Sequence, residues 1–352
     1  DTDRSRGLGD VYKRQRVCNA AQGDPVLEFG LRRAQGPEAG LYGAKAAVIG
    51  GCKGTSNVLT GKMFNVPISG THAHSWVQKF DTELEAFRAY ADIYPDSCLL
   101  LIDTYDVLNS GVKNAITVFN ELRAKGYEPL GVRLDSGDLT YLSREVRRIL
   151  DEAGFENVKI TASNDLDEYT ITSLKQEGAK IDSWGVGTKL ITSYDYPSLG
   201  GVYKLAAATN SEGLLVPKIK ISENPEKINN PGFKKVVRIY NENGKAEADL
   251  IMLADEVIDE SKTLEIFDPI YTWKTKKFEK YSLREVLSPL FKDGKCVRDK
   301  KTIQEVTEYT RQELASLWDQ HKRIKNPHIY KVDLSEGLWK MKQDMIASKK
   351  IK

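Results

Sequence analysis

From Val26 to about Leu205, short apolar runs alternate with stretches in which apolar residues recur every three or four positions. Runs of the first kind suit strands buried on both faces, and stretches of the second kind suit helices with one apolar stripe; their alternation predicts βαβ units and parallel pairing. The clearest unit begins with SCLLLID (residues 97–103), after which Val112, Ile116, Phe119 and Leu122 form a helical stripe that Gly126 ends. PLGVRLD (129–135) predicts the next strand, followed by a stripe of Leu142, Val146, Ile149 and Ala153 up to Gly154. NVKITAS (157–163), a helix starting near Asp167 and KIDSWGVG (180–187) continue the pattern, and EFGLR, KGTSN and VPISG supply three shorter strands upstream. Seven strands of this kind predict a (β/α) barrel; a doubly wound open sheet is the alternative.

Beyond about residue 216 the texture changes. KKVVRIY, NENG and KAEADLIMLADE predict a β-hairpin, with alternation continuing toward Trp273. A helix over 305–322, an extended NPHIYKVDL and a final amphipathic helix close the chain. The expected organisation is a barrel over 16–215, a β-rich lobe over 216–300 and a helical segment over 301–352. Residues 1–15 show no apolar periodicity, and DVYKRQ (10–15) resembles the translation of a transposase adapter, so this stretch is expected to be a non-native tail outside the fold.

The chain has 352 residues, 40% of them hydrophobic, enough for a substantial core. Its 52 basic and 50 acidic side chains nearly cancel, which argues against a nucleic-acid partner. Cys18, Cys52, Cys98 and Cys296 show no zinc-ligand spacing and are expected to be reduced thiols of a cytoplasmic protein. No apolar run approaches the length of a membrane span, so no membrane association is expected.

In a barrel the polar residues at the carboxyl ends of the strands gather at one mouth. Here these are Arg32, Ser56, His74, Asp103, Arg133 with Asp135, Ser163 with Asn164, and Gly185 with Gly187. GTHAHSW (70–76) places two histidines there; such an imidazole serves as nucleophile, general base or merely a hydrogen-bonded loop residue. In VRLDSGDL (132–139), Arg133 and Asp135 are two apart on a strand and project to the same face. They form either an anion-binding pocket or a structural ion pair. WGVGTKL (184–190) is a glycine-rich turn in which bare backbone N–H groups can approach a phosphate, though it lacks the P-loop pattern. LLLIDTYD has two acids after an apolar strand but no phosphate loop follows, so it is set aside.

In their order, EFGLRRAQGP, KGTSN, VPISGTHAHSW, LIDTYDVLNSGV, VRLDSGDL, ASNDLDE and WGVGT resemble the nicotinate phosphoribosyltransferase family. The likeness is close from about Leu27 to Leu205 and looser through DPIYTWK and NPHIYKVDLSEGLW. It implies an irregular (β/α) barrel, incomplete here at its N-terminal side, with a smaller β-rich lobe and a helical C-terminal segment. It also implies formation of nicotinate mononucleotide and diphosphate from nicotinate and 5-phosphoribosyl 1-diphosphate in NAD biosynthesis, with ATP as co-substrate, Mg²⁺ as cofactor and a homodimer as the full-length assembly.

Residue by residue, the resemblance makes His74 the imidazole phosphorylated from ATP and His72 a bystander. Phe29 matches the aromatic that stacks on the pyridine, Arg133 the cation facing its carboxylate, and Thr71 a hydroxyl donor to the same group. Ser56 stands where nicotinamide-using relatives carry an acid, which favours the acid substrate over the amide. Asp135, Ser163 and Asn164 match the ribose and diphosphate surroundings, Asp135 in a catalytic role. Gly185, Gly187 and Thr188 match the 5-phosphate loop, and Arg32 a cation that meets phosphate. Metal ligands are not specified. The alternatives are an inactive fragment of such an enzyme, poorly soluble when produced alone, or a nicotinamide or quinolinate phosphoribosyltransferase.

Overall fold

The computed structural model describes residues 9–195, 197, 203–224 and 227–348, which divide into two compact units. Of these, residues 9–195, 197 and 301–311 form the first, and residues 203–224, 227–300 and 312–348 the second. The boundary thus lies near residue 200 rather than 215, and the C-terminal segment is shared between the units.

In the first unit, six strands form one parallel sheet: β1 (Val26–Glu28), β2 (Gly54–Thr55), β3 (Leu99–Leu101), β4 (Gly131–Leu134), β5 (Lys159–Ala162) and β6 (Ser183–Val186). Their order, β2-β1-β6-β5-β4-β3, is a barrel's cyclic order opened at one point, and the sheet curls into a partial barrel; a doubly wound sheet would reverse direction at a switch point instead. The predicted strand at 66–70 is reduced to a single parallel bridge between Thr55 and Ile68. Pro67 has no N–H for a ladder, and only its carbonyl takes part, accepting from the Thr55 N–H at 3.1 Å.

The helices of this unit are α1 (Gly9–Ala20), α2 (Pro37–Ile49), α3 (Val58–Phe64), α4 (His74–Gln78), α5 (Glu83–Ile93), α6 (Val112–Ala124), α7 (Leu139–Glu152), α8 (Glu168–Gln176), α9 (Thr188–Ile191) and α10 (Ile303–Ser316), the last of which continues into the second unit. Of the stripes read from the sequence, Val112, Phe119 and Leu122 on α6 are buried, with Ile116 half-buried; on α7 only Val146 is buried, and the buried face runs through Leu139, Ser143, Val146 and Leu150, with Leu142, Ile149 and Ala153 half-buried at its edge. Gly126 and Gly154 follow α6 and α7 with positive φ, the conformation glycine adopts without steric cost. Trp184 is fully buried on β6, and its indole N–H donates to Asp24 at 3.0 Å, which satisfies the one polar atom of that side chain.

Residues 9–15 depart from expectation, because they lie in α1, which packs against α2, α8 and α9. Lys13 and Arg16 both pair with the buried Glu168 at 2.8 Å, and Val17 is fully buried. A buried carboxylate requires compensating cations, and these two supply them.

The second unit contains two antiparallel ribbons, β7 (Ala207–Thr209) with β8 (Leu215–Pro217) and β11 (Leu264–Phe267) with β12 (Thr275–Phe278). Its main sheet has the order β13-β9-β10-β16, from β9 (Lys234–Tyr240), β10 (Ala246–Leu253), β13 (Ser282–Glu285) and β16 (Val332–Leu334). A short hairpin, β14 (Phe291–Lys292) and β15 (Lys295–Cys296), precedes α10. Along β10, Ala246, Ala248, Leu250 and Met252 are buried and their neighbours partly exposed, the period of two that one packed face requires. Val237, Ile239, Ile266 and Phe278 complete that core. The helix expected over 305–322 is interrupted at Trp318, whose backbone is extended, so that α11 (Asp319–Lys322) is separate from α10; α12 (Glu336–Ser348) is the final helix.

Candidate active site

The carboxyl ends of the strands bring most of the expected residues together. Arg133, on β4, donates from Nε to Ser163 Oγ at 2.8 Å, from Nη1 to Thr71 Oγ1 at 2.7 Å and from Nη2 to Asp135 Oδ1 at 3.0 Å. Its guanidinium lies 5.5 Å from the centre of the Phe29 ring. The pattern along β4 explains the orientation: Val132 and Leu134 are fully buried, which turns Arg133 and, just past the strand, Asp135 toward the mouth. Ser163, which follows β5, also donates to Asp135. Opposite, a side chain at Gly185 would place its Cβ 2.6 Å from two Phe29 ring carbons, so the absence of one makes room for the ring.

Phe29 is itself anchored. Glu28 is fully buried at the end of β1, where its carboxylate accepts from Thr55 Oγ1 at 2.6 Å and from the Gly30 N–H. Burial pushes the Glu28 carboxyl above the usual range. These bonds fix the turn that carries Phe29.

His74 opens α4, with Nδ1 3.1 Å from Thr104 Oγ1 and Nε2 3.7 Å from Asp135 and 3.9 Å from Asp103. Asp103 lies at the carboxyl end of β3 with its side chain 1% exposed. Its Oδ2 accepts from the Asp135 N–H at 2.8 Å and from Ser136 Oγ at 2.6 Å, while its Oδ1 has no hydrogen-bond partner. Asp103 is thus one of the strand-end residues expected at the mouth.

His72 is buried, with Nε2 accepting the Leu101 N–H at 3.1 Å and the ring edge-on to Tyr90. Burial lowers its pKa to about 4, with the nearby Arg133 and His74 acting in the same direction. The Thr71 hydroxyl accepts from Arg133 and turns its own proton to the His72 carbonyl at 3.2 Å, rather than toward the open mouth.

The remaining expected residues lie around this cluster. Gly187 and Thr188 begin α9, and Gly187 passes close to the Phe29 carbonyl. Asn164 follows Ser163 with φ of +101°, a conformation that disfavours any side chain. Ser56 donates its N–H to the Glu28 carbonyl at 2.9 Å. Arg32 lies in the exposed turn Leu31–Arg33. Among the described residues, no hydrogen bond or ion pair joins Arg32 or Ser56 to the Arg133 cluster. Beneath the cluster a cavity of about 1000 Å³ runs inside the partial barrel, lined by Phe29, Thr71, His72, Leu99 and Thr161 among others. Among the described residues, no group of three or more His, Cys, Asp and Glu side chains is arranged as a metal site, and no helix is long and apolar enough to cross a membrane.

Residues 25–245 match the model of the nicotinate phosphoribosyltransferase (NAPRTase) family, and residues 233–342 that of the nicotinate phosphoribosyltransferase C-terminal domain. A nicotinate phosphoribosyltransferase of Bacillus subtilis is 47% identical over 335 residues, 95% of this chain and 68% of that protein. The chain belongs to the nicotinate phosphoribosyltransferase family. The human nicotinate phosphoribosyltransferase is 32% identical over 89% of the chain, which spans 67% of that protein's length. The crystal structure of human nicotinic acid phosphoribosyltransferase superposes with a TM-score of 0.77 at 27% identity, covering 96% of this chain and 74% of that one. A nicotinate-nucleotide pyrophosphorylase of Pyrococcus furiosus shares the fold, with a TM-score of 0.64 at 21% identity over 88% of this chain and 70% of that one. The chain spans about two thirds of the length of its curated phosphoribosyltransferase relatives, from 62% to 68% for the Bacillus subtilis, Caenorhabditis elegans and Dictyostelium discoideum proteins.

Proposed function

We propose that this protein transfers the phosphoribosyl group of 5-phosphoribosyl 1-diphosphate to nicotinate. The bond from the pyridine nitrogen to the anomeric carbon forms as the bond from that carbon to diphosphate breaks, giving nicotinate mononucleotide and diphosphate. The observation that carries this reading is the state of Arg133. A guanidinium has five N–H donors, and three of them are held by Ser163, Thr71 and Asp135. One N–H on each Nη remains for the carboxylate of a ligand to accept. Phe29 beside it offers an aromatic face to the ring that bears the carboxylate.

His74 is read as the group that couples ATP to turnover. With Nδ1–H donating to Thr104, Nε2 keeps its lone pair and attacks the γ-phosphorus of ATP; the N–P bond forms, the bond to the β-phosphate oxygen breaks and ADP leaves. Water later releases phosphate and restores the imidazole. Two carboxylates within 4 Å of Nε2 would repel a phosphoryl group unless a cation lay between them. Asp103, with its unpartnered Oδ1, and Asp135 would hold a Mg²⁺, a hard cation that takes oxygen ligands. Such an ion supplies charge neutralisation to the departing diphosphate. Asp135 also faces the cationic character that develops on the ribose as that bond breaks. Gly185, Gly187, Thr188, Asn164 and Arg32 are read as the surroundings of the sugar phosphate.

The four free cysteines fit a reducing, cytoplasmic setting, and a homodimer is the assembly the family resemblance implies. The test is turnover of nicotinate, nicotinamide and quinolinate by the purified protein, with and without ATP. Nicotinate is expected to be preferred and ATP to raise the rate; equal use of nicotinamide, or no turnover of any of the three, would overturn the reading.

A further inference from the structure

The open point of the barrel coincides with the chemistry. Among the described residues, the sheet ends at β3 on one side and at the Ile68 bridge on the other, with no ladder joining them. Just past β3 the Ile102 N–H donates to the Arg133 carbonyl on β4, so the Leu101 N–H, one residue earlier, points to the unpaired edge. A buried backbone donor without an acceptor is strongly disfavoured. The acceptor there is a side-chain atom, the Nε2 of His72, at 3.1 Å.

His72 also stands between two groups of the site. On one side Thr71 accepts from Arg133, and on the other His74 reaches Thr104 and approaches Asp103. We infer that His72 is a positioning residue, a neutral Nδ1–H imidazole that replaces the missing strand at the edge of β3 and sets the register of residues 71–74 against β3 and β4. The proposal rests on the phosphoribosyltransferase reading only for what is positioned; the edge closure is independent of it. The opposite nitrogen fits this tautomer, since Nδ1 lies 3.4 Å from the Ala73 carbonyl. Burial holds the ring neutral, and Tyr90 and Phe87 of α5 fix its plane.

The consequence is specific. A replacement that offers an acceptor where Nε2 stood should preserve the site, and one that only fills the volume should not. His72→Gln is expected to keep kcat and the nicotinate KM within about threefold of the wild type, whereas His72→Leu lowers kcat by about tenfold or more. In parallel, ¹⁵N NMR of the wild type should show His72 as the Nδ1–H tautomer, uncharged at pH 6, with His74 resonances displaced in His72→Leu and restored in His72→Gln. Full activity in a folded His72→Leu, failure of His72→Gln to rescue, or an Nε2–H or charged ring at pH 6 would each overturn the proposal. Should His72→Leu not fold, the wild-type tautomer and the activity of His72→Gln still decide. Should no variant or wild type turn over nicotinate, the functional reading fails while the NMR result decides the edge closure alone.

Discussion

Arg133 and Thr71, 62 positions apart in the chain, meet at 2.7 Å where the carboxyl end of β4 faces the segment leading to α4. This contact joins a guanidinium that three oxygens hold in one plane to the loop bearing both histidines. Its rigidity makes Arg133 a fixed receptor rather than a mobile surface charge.

Replacing Arg133 by lysine should therefore be far from conservative. An ammonium cannot satisfy Ser163, Thr71 and Asp135 and still present two further donors. We expect the KM for nicotinate to rise about 10- to 100-fold, the loss of one to two charge-assisted hydrogen bonds, with a smaller change in the KM for 5-phosphoribosyl 1-diphosphate. Steady-state kinetics with each substrate varied in turn checks this, and equal changes in both constants would count against it.

His74→Ala should remove the ATP-stimulated part of turnover and leave a slow ATP-independent rate. Incubation with γ-labelled ATP, followed by acid treatment, should show an acid-labile label on the wild type and none on the variant. Retention of that label would move the phosphorylated group elsewhere.

Gly185→Ala should displace the Phe29 ring, since the new methyl would sit 2.6 Å from two ring carbons. The cost is expected to be about 1–3 kcal/mol in stability, with weakened nicotinate binding. The same substitution in a Phe29→Ala background should cost much less, and denaturant unfolding of the four proteins in that cycle measures the coupling.

Asn164→Gly should be neutral or stabilising by up to about 1 kcal/mol, because φ of +101° strains any residue with a Cβ. Asn164→Val should destabilise. Thermal melts of the two variants test the strain directly, and a Gly variant less stable than the wild type would show that the Asn side chain contributes more than its backbone costs.

Acid sensitivity should report on His72. Its imidazole has a pKa of about 4 in the folded chain against an ordinary value of 6.5, so between these the unfolded chain binds more protons. The contribution of the neutral ring is full above pH 6.5 and declines as pH falls toward 4, by about 3 kcal/mol at most. His72→Gln should flatten stability across that window, as read by urea midpoints from pH 7 to pH 4.5.

The sequence by itself determined the helical stripes, the strand cores and the placing of Arg133 and Asp135 on one face, because periods of 3.6 and 2 are set by local backbone geometry. It also carried the family through its ordered motifs. Local pattern marks the strand at 66–70 as weak, since Pro67 offers no ladder N–H, without showing that it would shrink to one bridge. It also did not show that residues 9–15 would pack as part of α1, where cations answer the buried Glu168 of a distant helix. His72 and Asp103 show the same limit inside the site. One is a second histidine whose role depends on an unpaired N–H of β3, and the other an acid whose free oxygen matters only because His74 lies beside it. Tertiary structure decided these points, since hydrogen-bond satisfaction and charge compensation are properties of neighbours in space, and a linear chain does not specify which neighbours those are.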